Sequence, residues 1–160
     1  MSRKVCVIDI ESYRSLAMIH RRLIKKNLTL SHRLIFIGGK DVNSRVLEPL
    51  VTINRKSCLT TFRQQLIYGQ TNQLEYAINH IVRCQSLKML TFQEKRTLFA
   101  LLDTNDTRTA AVKIDLSPKT VYTYTRNIGQ KLNLSSLLQV RQFIFSEYSV
   151  ESETKGNVPY

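Results

Sequence analysis

The apolar positions change period along the chain. Val5-Cys6-Val7-Ile8 is an unbroken, β-branched run that ends at Asp9, and Leu34-Ile35-Phe36-Ile37 is a second, stopped by Gly38-Gly39. Leu50-Val51-Thr52-Ile53 is a third. Runs this short and this rich in Val and Ile predict buried strands. Between the first two, Leu16, Ile19, His20, Leu23 and Ile24 recur at three- and four-residue spacing, with Arg21, Arg22, Lys25 and Lys26 interleaved. That is an amphipathic helix. Another helix is expected from about residue 57 to 68, so strands alternate with helices, as in parallel βα units. Residues 74–87 predict a further helix joining this segment to a second half in which only helical periods occur.

The second half reads as four short helices punctuated by caps. Thr91 can cap the first, with Glu94 three residues on as its capping-box partner and Leu98, Leu101 and Leu102 as the apolar face. The polar run 103–106 breaks it, and Asp106 can cap a second helix carrying Ala110, Ala111 and Ile114. Ser117-Pro118 is a strong start signal for a third, with Ser at the cap and Pro at the first helical position. After Asn133-Leu134, Ser135 is expected to cap a last helix bearing Leu137, Leu138, Val140 and Ile144.

On a wheel of 100° per residue, Val121, Thr125, Ile128 and Leu132 fall on one side of the third helix. The opposite side carries Lys119, Tyr122, Thr123, Arg126, Asn127 and Gln130, with Lys131 at its flank and no acid among them. Two short helices joined by a tight turn, the second presenting such a face, is the arrangement that reads a DNA major groove. Arg126 can donate a bidentate pair to guanine, and Tyr122 and Thr123 can touch base edges or a thymine methyl.

Charge bears on this reading. The chain has 160 residues, with 24 Lys and Arg against 12 acids and a net charge of +12, which makes an anionic partner plausible. Most of that excess precedes residue 90, so DNA binding by the second half rests on where its charges fall rather than on their number. Cys6, Cys58 and Cys84 show no metal-site or redox spacing and read as reduced thiols. His20, His32 and His80 are scattered, no catalytic constellation is convincing, and Gly38-Gly39-Lys40 lacks the upstream glycine of a phosphate loop. No metal, cofactor or enzymatic activity is expected. Apolar runs are far too short to span a bilayer, and no signal peptide is apparent behind Met1-Ser2-Arg3-Lys4, so a cytoplasmic protein that does not engage membranes is expected.

Leu90-Thr91-x-x-Glu94, Ala111, Ile114, Ser117-Pro118-Lys119-Thr120-Val121, Asn127-Ile128 and Lys131-Leu132 closely resemble the LuxR/NarL (GerE-like) helix-turn-helix. The resemblance implies base contacts by Tyr122, Thr123 and Arg126, the face the wheel selects. It implies phosphate contacts by Ser117, Lys119, Thr120, Tyr124, Asn127 and Lys131, and a dimerisation helix presenting Leu137, Leu138, Val140, Arg141 and Ile144. Thr104 replaces a usual Gly, Tyr124 a frequent His and Tyr122 a frequent Lys, departures that bear on the target sequence more than on the fold.

The first segment, over about residues 4–69, resembles the carboxyl-terminal half of a response-regulator receiver. Asp9 then takes the phosphoacceptor position, and Arg55 or Lys56 that of the family's lysine. Phosphotransfer to Asp needs Mg²⁺ and a further pair of carboxylates from a preceding strand. Those acids are not in place, so Asp9 is a vestigial phosphoacceptor position and the receiver is degenerate. The expected organisation is a truncated receiver-like α/β domain at 1–69, a helical linker at 70–89, an all-α four-helix LuxR-type domain at 90–145 and a flexible tail at 146–160. The expected function is a bacterial transcriptional regulator that binds double-stranded DNA as a dimer without control by phosphorylation. The alternative is an auxiliary regulator that heterodimerises with a full-length response regulator.

Overall fold

The protein's structure, a computed structural model, describes residues 4–29, 31–104 and 106–156, and for residues 148–156 the backbone alone. The three apolar runs form parallel strands β1 (Val5–Asp9), β2 (Arg33–Gly38) and β3 (Val51–Asn54), with β2 in the middle. Val5 pairs with Arg33 and Asp9 with Ile37, while a register shift between Phe36 and Ile37 interrupts the β2–β3 ladder. Each crossover is helical. Helix α1 (Leu16–Lys25) joins β1 to β2, and α2 (Val42–Val46) with a 3-10 turn at Glu48–Leu50 joins β2 to β3. Helix α3 (Leu59–Tyr68) follows β3. A two-residue strand, β4 (Asn72–Gln73), then pairs antiparallel with the start of β2. It is too short to leave a periodic signal in the sequence.

Strand alternation decides what each residue of β1 meets. Cys6 and Ile8 point into the core, whereas Val5 and Val7 point to the other face and stay 42% and 44% exposed. Leu34, Ile35 and Phe36 of the central strand are fully buried. Gly38, the last residue of β2, lets the strand lie close to β3, since a Cβ there would stand 2.6 Å from a Val51 methyl. In α1, Leu16, Ile19 and Leu23 are buried, but Ile24 lies one position past the stripe and is exposed.

The second half is α5 (Phe92–Asp103), α6 (Thr107–Lys113), α7 (Pro118–Leu132) and α8 (Leu137–Gly156). Its caps follow the sequence signals. Thr91 and Glu94 make the complete capping box, Asp106 accepts from the Arg108 and Thr109 amides, and Ser117 accepts from Thr120. At α8 the cap moves by one residue. Ser136, not Ser135, accepts from the Gln139 amide, and the Gln139 side chain reaches back to the Ser135 amide.

Both flanks carry helical structure. Residues 70–89 are not merely a linker, because α4 (Leu74–Gln85) buries Ala77, Ile81 and Cys84 in the same core as the sheet. Nor are residues 146–156 a loose tail. They continue α8, and the Glu147 carboxylate accepts the Leu16 and Ala17 amides at the start of α1, 3.3 Å away for Ala17. The carboxylate thereby satisfies free amides of α1 and places a negative charge at the positive end of its dipole. Residues 157–160 of the expected tail lie outside the described residues.

One apolar core spans both halves. It runs from Ile8, Leu34 and Phe36 through Leu16, Ile19 and Ile81 to Leu98, Ile128, Leu132, Val140, Phe143 and Ile144. A smaller cluster of Ala100, Leu101, Ala110, Ala111, Ile114 and Val121 holds α5, α6 and α7 together. Helix α7 is therefore clamped along one side by two cores and free along the other.

Candidate nucleic-acid interface

Helix α7 starts where Asp115, at φ 56°, turns the chain in the left-handed region and the Leu116 amide bonds back to the Ala111 carbonyl. Val121, Ile128, Gly129 and Leu132 are buried. Gly129 allows the following turn to fold over the helix, since a Cβ there would sit 2.9 Å from the Leu134 carbonyl oxygen. On the opposite side Lys119, Tyr122, Thr123, Arg126 and Gln130 are exposed, Tyr122 by 68%. Neither Lys119 nor Arg126 takes part in an ion pair among the described residues. No acid interrupts the face, so the structure brings Tyr122, Thr123 and Arg126 together on one open ridge.

The other expected contact residues are placed less uniformly. Ser117 and Thr120 spend their hydroxyls on the cap, 2.8 Å from each other. Tyr124 and Asn127 are half-buried at the edge of the ridge. Lys131 departs most from expectation, because its ammonium lies 2.8 and 3.0 Å from the two oxygens of Glu94. As placed it serves α5 rather than an external phosphate. Glu94 is 37 positions away in sequence, which is why the sequence did not reveal the pair.

Glu94 is almost fully buried, and the burial pushes its carboxyl up. The Lys131 ammonium and the Thr91 amide outweigh that effect and hold it below the usual carboxylate range. A depressed folded value means that the charge contributes stability above the unfolded value of about 4.3, and that this is lost as pH falls through the folded value. Glu94→Gln should therefore cost about 1–3 kcal/mol at neutral pH. Urea titrations at pH 7 and pH 3 should show the gap to wild type closing in acid, and a gap that stays constant would refute the role of this charge.

Helix α8 places the five expected dimerisation residues unevenly. Val140 and Ile144 are 1% and 2% exposed and pack with Phe143 inside their own protomer. Leu137 packs on the α5–α7 cluster, and Arg141 donates 2.9 and 3.2 Å bonds to the Leu101 and Thr104 carbonyls. Of the five, Leu138 alone is exposed; Phe145, seven residues on, is exposed beside it in the helical period. An apolar stripe looks the same in sequence whether its mate is in the same chain or another.

At the end of β1, Asp9 is held by an internal cation. One Arg55 guanidinium nitrogen lies 2.9 and 2.7 Å from the two Asp9 oxygens and 3.0 Å from Glu11. Arg55 thus occupies the space between the two acids. Lys56 is exposed and outside this cluster. No three His, Cys, Asp or Glu converge on a metal-sized space among the described residues. No described helix is long and apolar enough to cross a membrane.

Comparison with known proteins places this geometry. Residues 88–144 match the family described as bacterial regulatory proteins, luxR family. The structure described as "Structure of two RcsB dimers bound to two parallel DNAs" has a TM-score of 0.58 at 18% identity, covering 91% of this chain and 76% of that one. Full-length FixJ from B. japonicum aligns at a TM-score of 0.36 and 15% identity over 93% of this chain and 77% of that one. RcsB from Salmonella enterica serovar Typhimurium, on promoter rprA with a phosphomimetic, aligns at 0.33 and 15% over 89% and 75%. No curated protein sequence matches the chain. The fold is that of a receiver-like α/β segment packed on a helix-turn-helix.

Proposed function

We propose that the protein is a bacterial cytoplasmic regulator that inserts α7 into the major groove of duplex DNA and binds as a two-fold dimer. The open, acid-free ridge of α7 carries this reading. Arg126 donates to a guanine edge, Tyr122 and Thr123 touch neighbouring bases, and Lys119 and the helix amino end grip phosphates. Ser117, Thr120, Tyr124 and Asn127 border the backbone on either side, and Lys131 reaches a phosphate only by leaving Glu94. The fold shared with a DNA-bound RcsB dimer supports both duplex and dimer. The contact between copies runs through Leu138 and Phe145, the apolar side chains that α8 leaves uncovered. Lys119→Ala should weaken all duplexes alike and flatten the dependence of log affinity on log salt by about one unit. An unchanged slope in fluorescence-anisotropy titrations would remove Lys119 from the phosphate contacts.

Control by phosphorylation is absent in this reading. Arg55 already pairs with both Asp9 and Glu11, and the acids that phosphotransfer would need to hold a divalent cation are thereby engaged by an internal cation. Incubation with acetyl phosphate and Mg²⁺ should leave the intact mass unchanged. A phosphorylated species that disappears in Asp9→Asn would overturn the assignment.

A second reading draws on the small size of the uncovered α8 patch. The chain then pairs with a full-length response regulator and lends it one DNA-reading half. Gel filtration separates the readings, since a homodimer of the chain alone excludes an obligate heterodimer.

A further inference from the structure

A cleft of about 440 Å³ opens where the two halves of the protein meet. The end of α2 and the turn after it form one wall, α4 another, and the last residues of α7 a third. The floor is apolar, made by Val46, Met89, Leu132 and the Cys84 thiol. Burial pushes that thiol up to about 11, so it stays neutral at physiological pH. His80 projects from α4 with its ring 3.7 Å from the Cys84 sulfur and stacked on Tyr76, and desolvation lowers its pKa, which favours the neutral ring.

Most charges around the cleft are already committed. Lys131 is held by Glu94, and the Glu48 carboxylate accepts the Asn133 side-chain amide. Arg83, exposed at the rim, has no ion-pair partner among the described residues. The cleft therefore offers an apolar floor with the uncommitted positive charge of Arg83 at its rim, while Glu48, hydrogen-bonded by the neutral Asn133 amide, keeps its negative charge on the opposite wall. Its volume falls within the range of small-molecule sites, about 300–1,000 Å³.

We propose that this junction cleft binds a small organic anion with an apolar body, a medium-chain or aromatic carboxylate or sulfonate, with the head on Arg83 and the body against Met89 and Leu132. Its occupant touches the last turn of α7 and the receiver-like segment together, which makes it an effector site. The site goes beyond the reading of DNA and does not depend on it.

The test uses the full chain titrated with 8-anilinonaphthalene-1-sulfonate, followed by fluorescence, with hexanoate and hexanol as competitors. One saturable site per chain is expected, displaced by hexanoate at least tenfold better than by hexanol. Arg83→Glu should weaken it at least tenfold and Arg83→Lys should restore most of the loss. Arg63→Ala on α3 should leave it unchanged, which separates the cleft from exposed apolar residues near α3. Equal affinity in Arg83→Glu, equal displacement by hexanol, or no saturable site would overturn the proposal. None of these readouts involves DNA, so a failure here is distinct from a failure of the α7 ridge to read sequence.

Discussion

Phe143→Ala is expected to lower stability by about 3–5 kcal/mol and to destabilise both halves of the protein together. The side chain is 1% exposed, on the part of α8 that faces the receiver-like segment, and it belongs to the core that also holds Leu16, Ile19, Leu34 and Ile81. Truncation leaves a cavity at the seam where α8 packs on α1, α2 and α7, elements of both halves. A loss of that size is a large share of the 5–15 kcal/mol that holds an ordinary domain folded. Urea unfolding followed by far-ultraviolet circular dichroism and by the reactivity of the buried Cys6 should give coincident transitions in wild type and variant. Two separate transitions in the wild type would show that the receiver-like segment and the helix-turn-helix fold as independent units.

The second large effect is on recognition. Arg126→Ala should cost about 1–3 kcal/mol at one base position and relax the preference there, while leaving the fold intact. The side chain is exposed, lies on the ridge with Tyr122 and Thr123, and makes no ion pair among the described residues, so its removal breaks nothing inside the protein. The contrast with Lys119→Ala is diagnostic. A base contact changes discrimination between sequences, whereas a phosphate contact changes affinity for all of them and the salt slope with it. Competition titrations against duplexes that vary one position at a time separate the two, and unchanged discrimination in Arg126→Ala would move the reading face elsewhere.

Much of the helix-turn-helix was legible because its signals are local. Thr91 with Glu94, Asp106, and Ser117 with Pro118 act within three or four residues, and a cap residue needs no distant partner to declare itself. The polar ridge of α7 was legible for the same reason, since helical geometry alone puts Tyr122, Thr123 and Arg126 together. What stayed hidden depends on pairs far apart in sequence. Lys131 meets Glu94 across 37 positions and Arg55 meets Asp9 across 46, and periodicity says nothing about such encounters. The resemblance assigned the apolar stripe of α8 to dimerisation, whereas Val140 and Ile144 pack into the protomer's own core. Helix α4 was legible as a helix and not as a core element, because the surface it covers is made by β2 and α1. At residues 146–156 polar composition suggested a tail, and the backbone there continues α8. The Glu147 carboxylate instead anchors α8 to the first turn of α1.

Selection of bound duplexes from a random library at physiological salt, with wild type and Arg126→Ala in parallel, tests the central claim most directly. The account predicts an enriched motif with two-fold symmetry for the wild type that loses information at one position in each half in the variant. Salt-sensitive binding with no enriched sequence for either protein would contradict it.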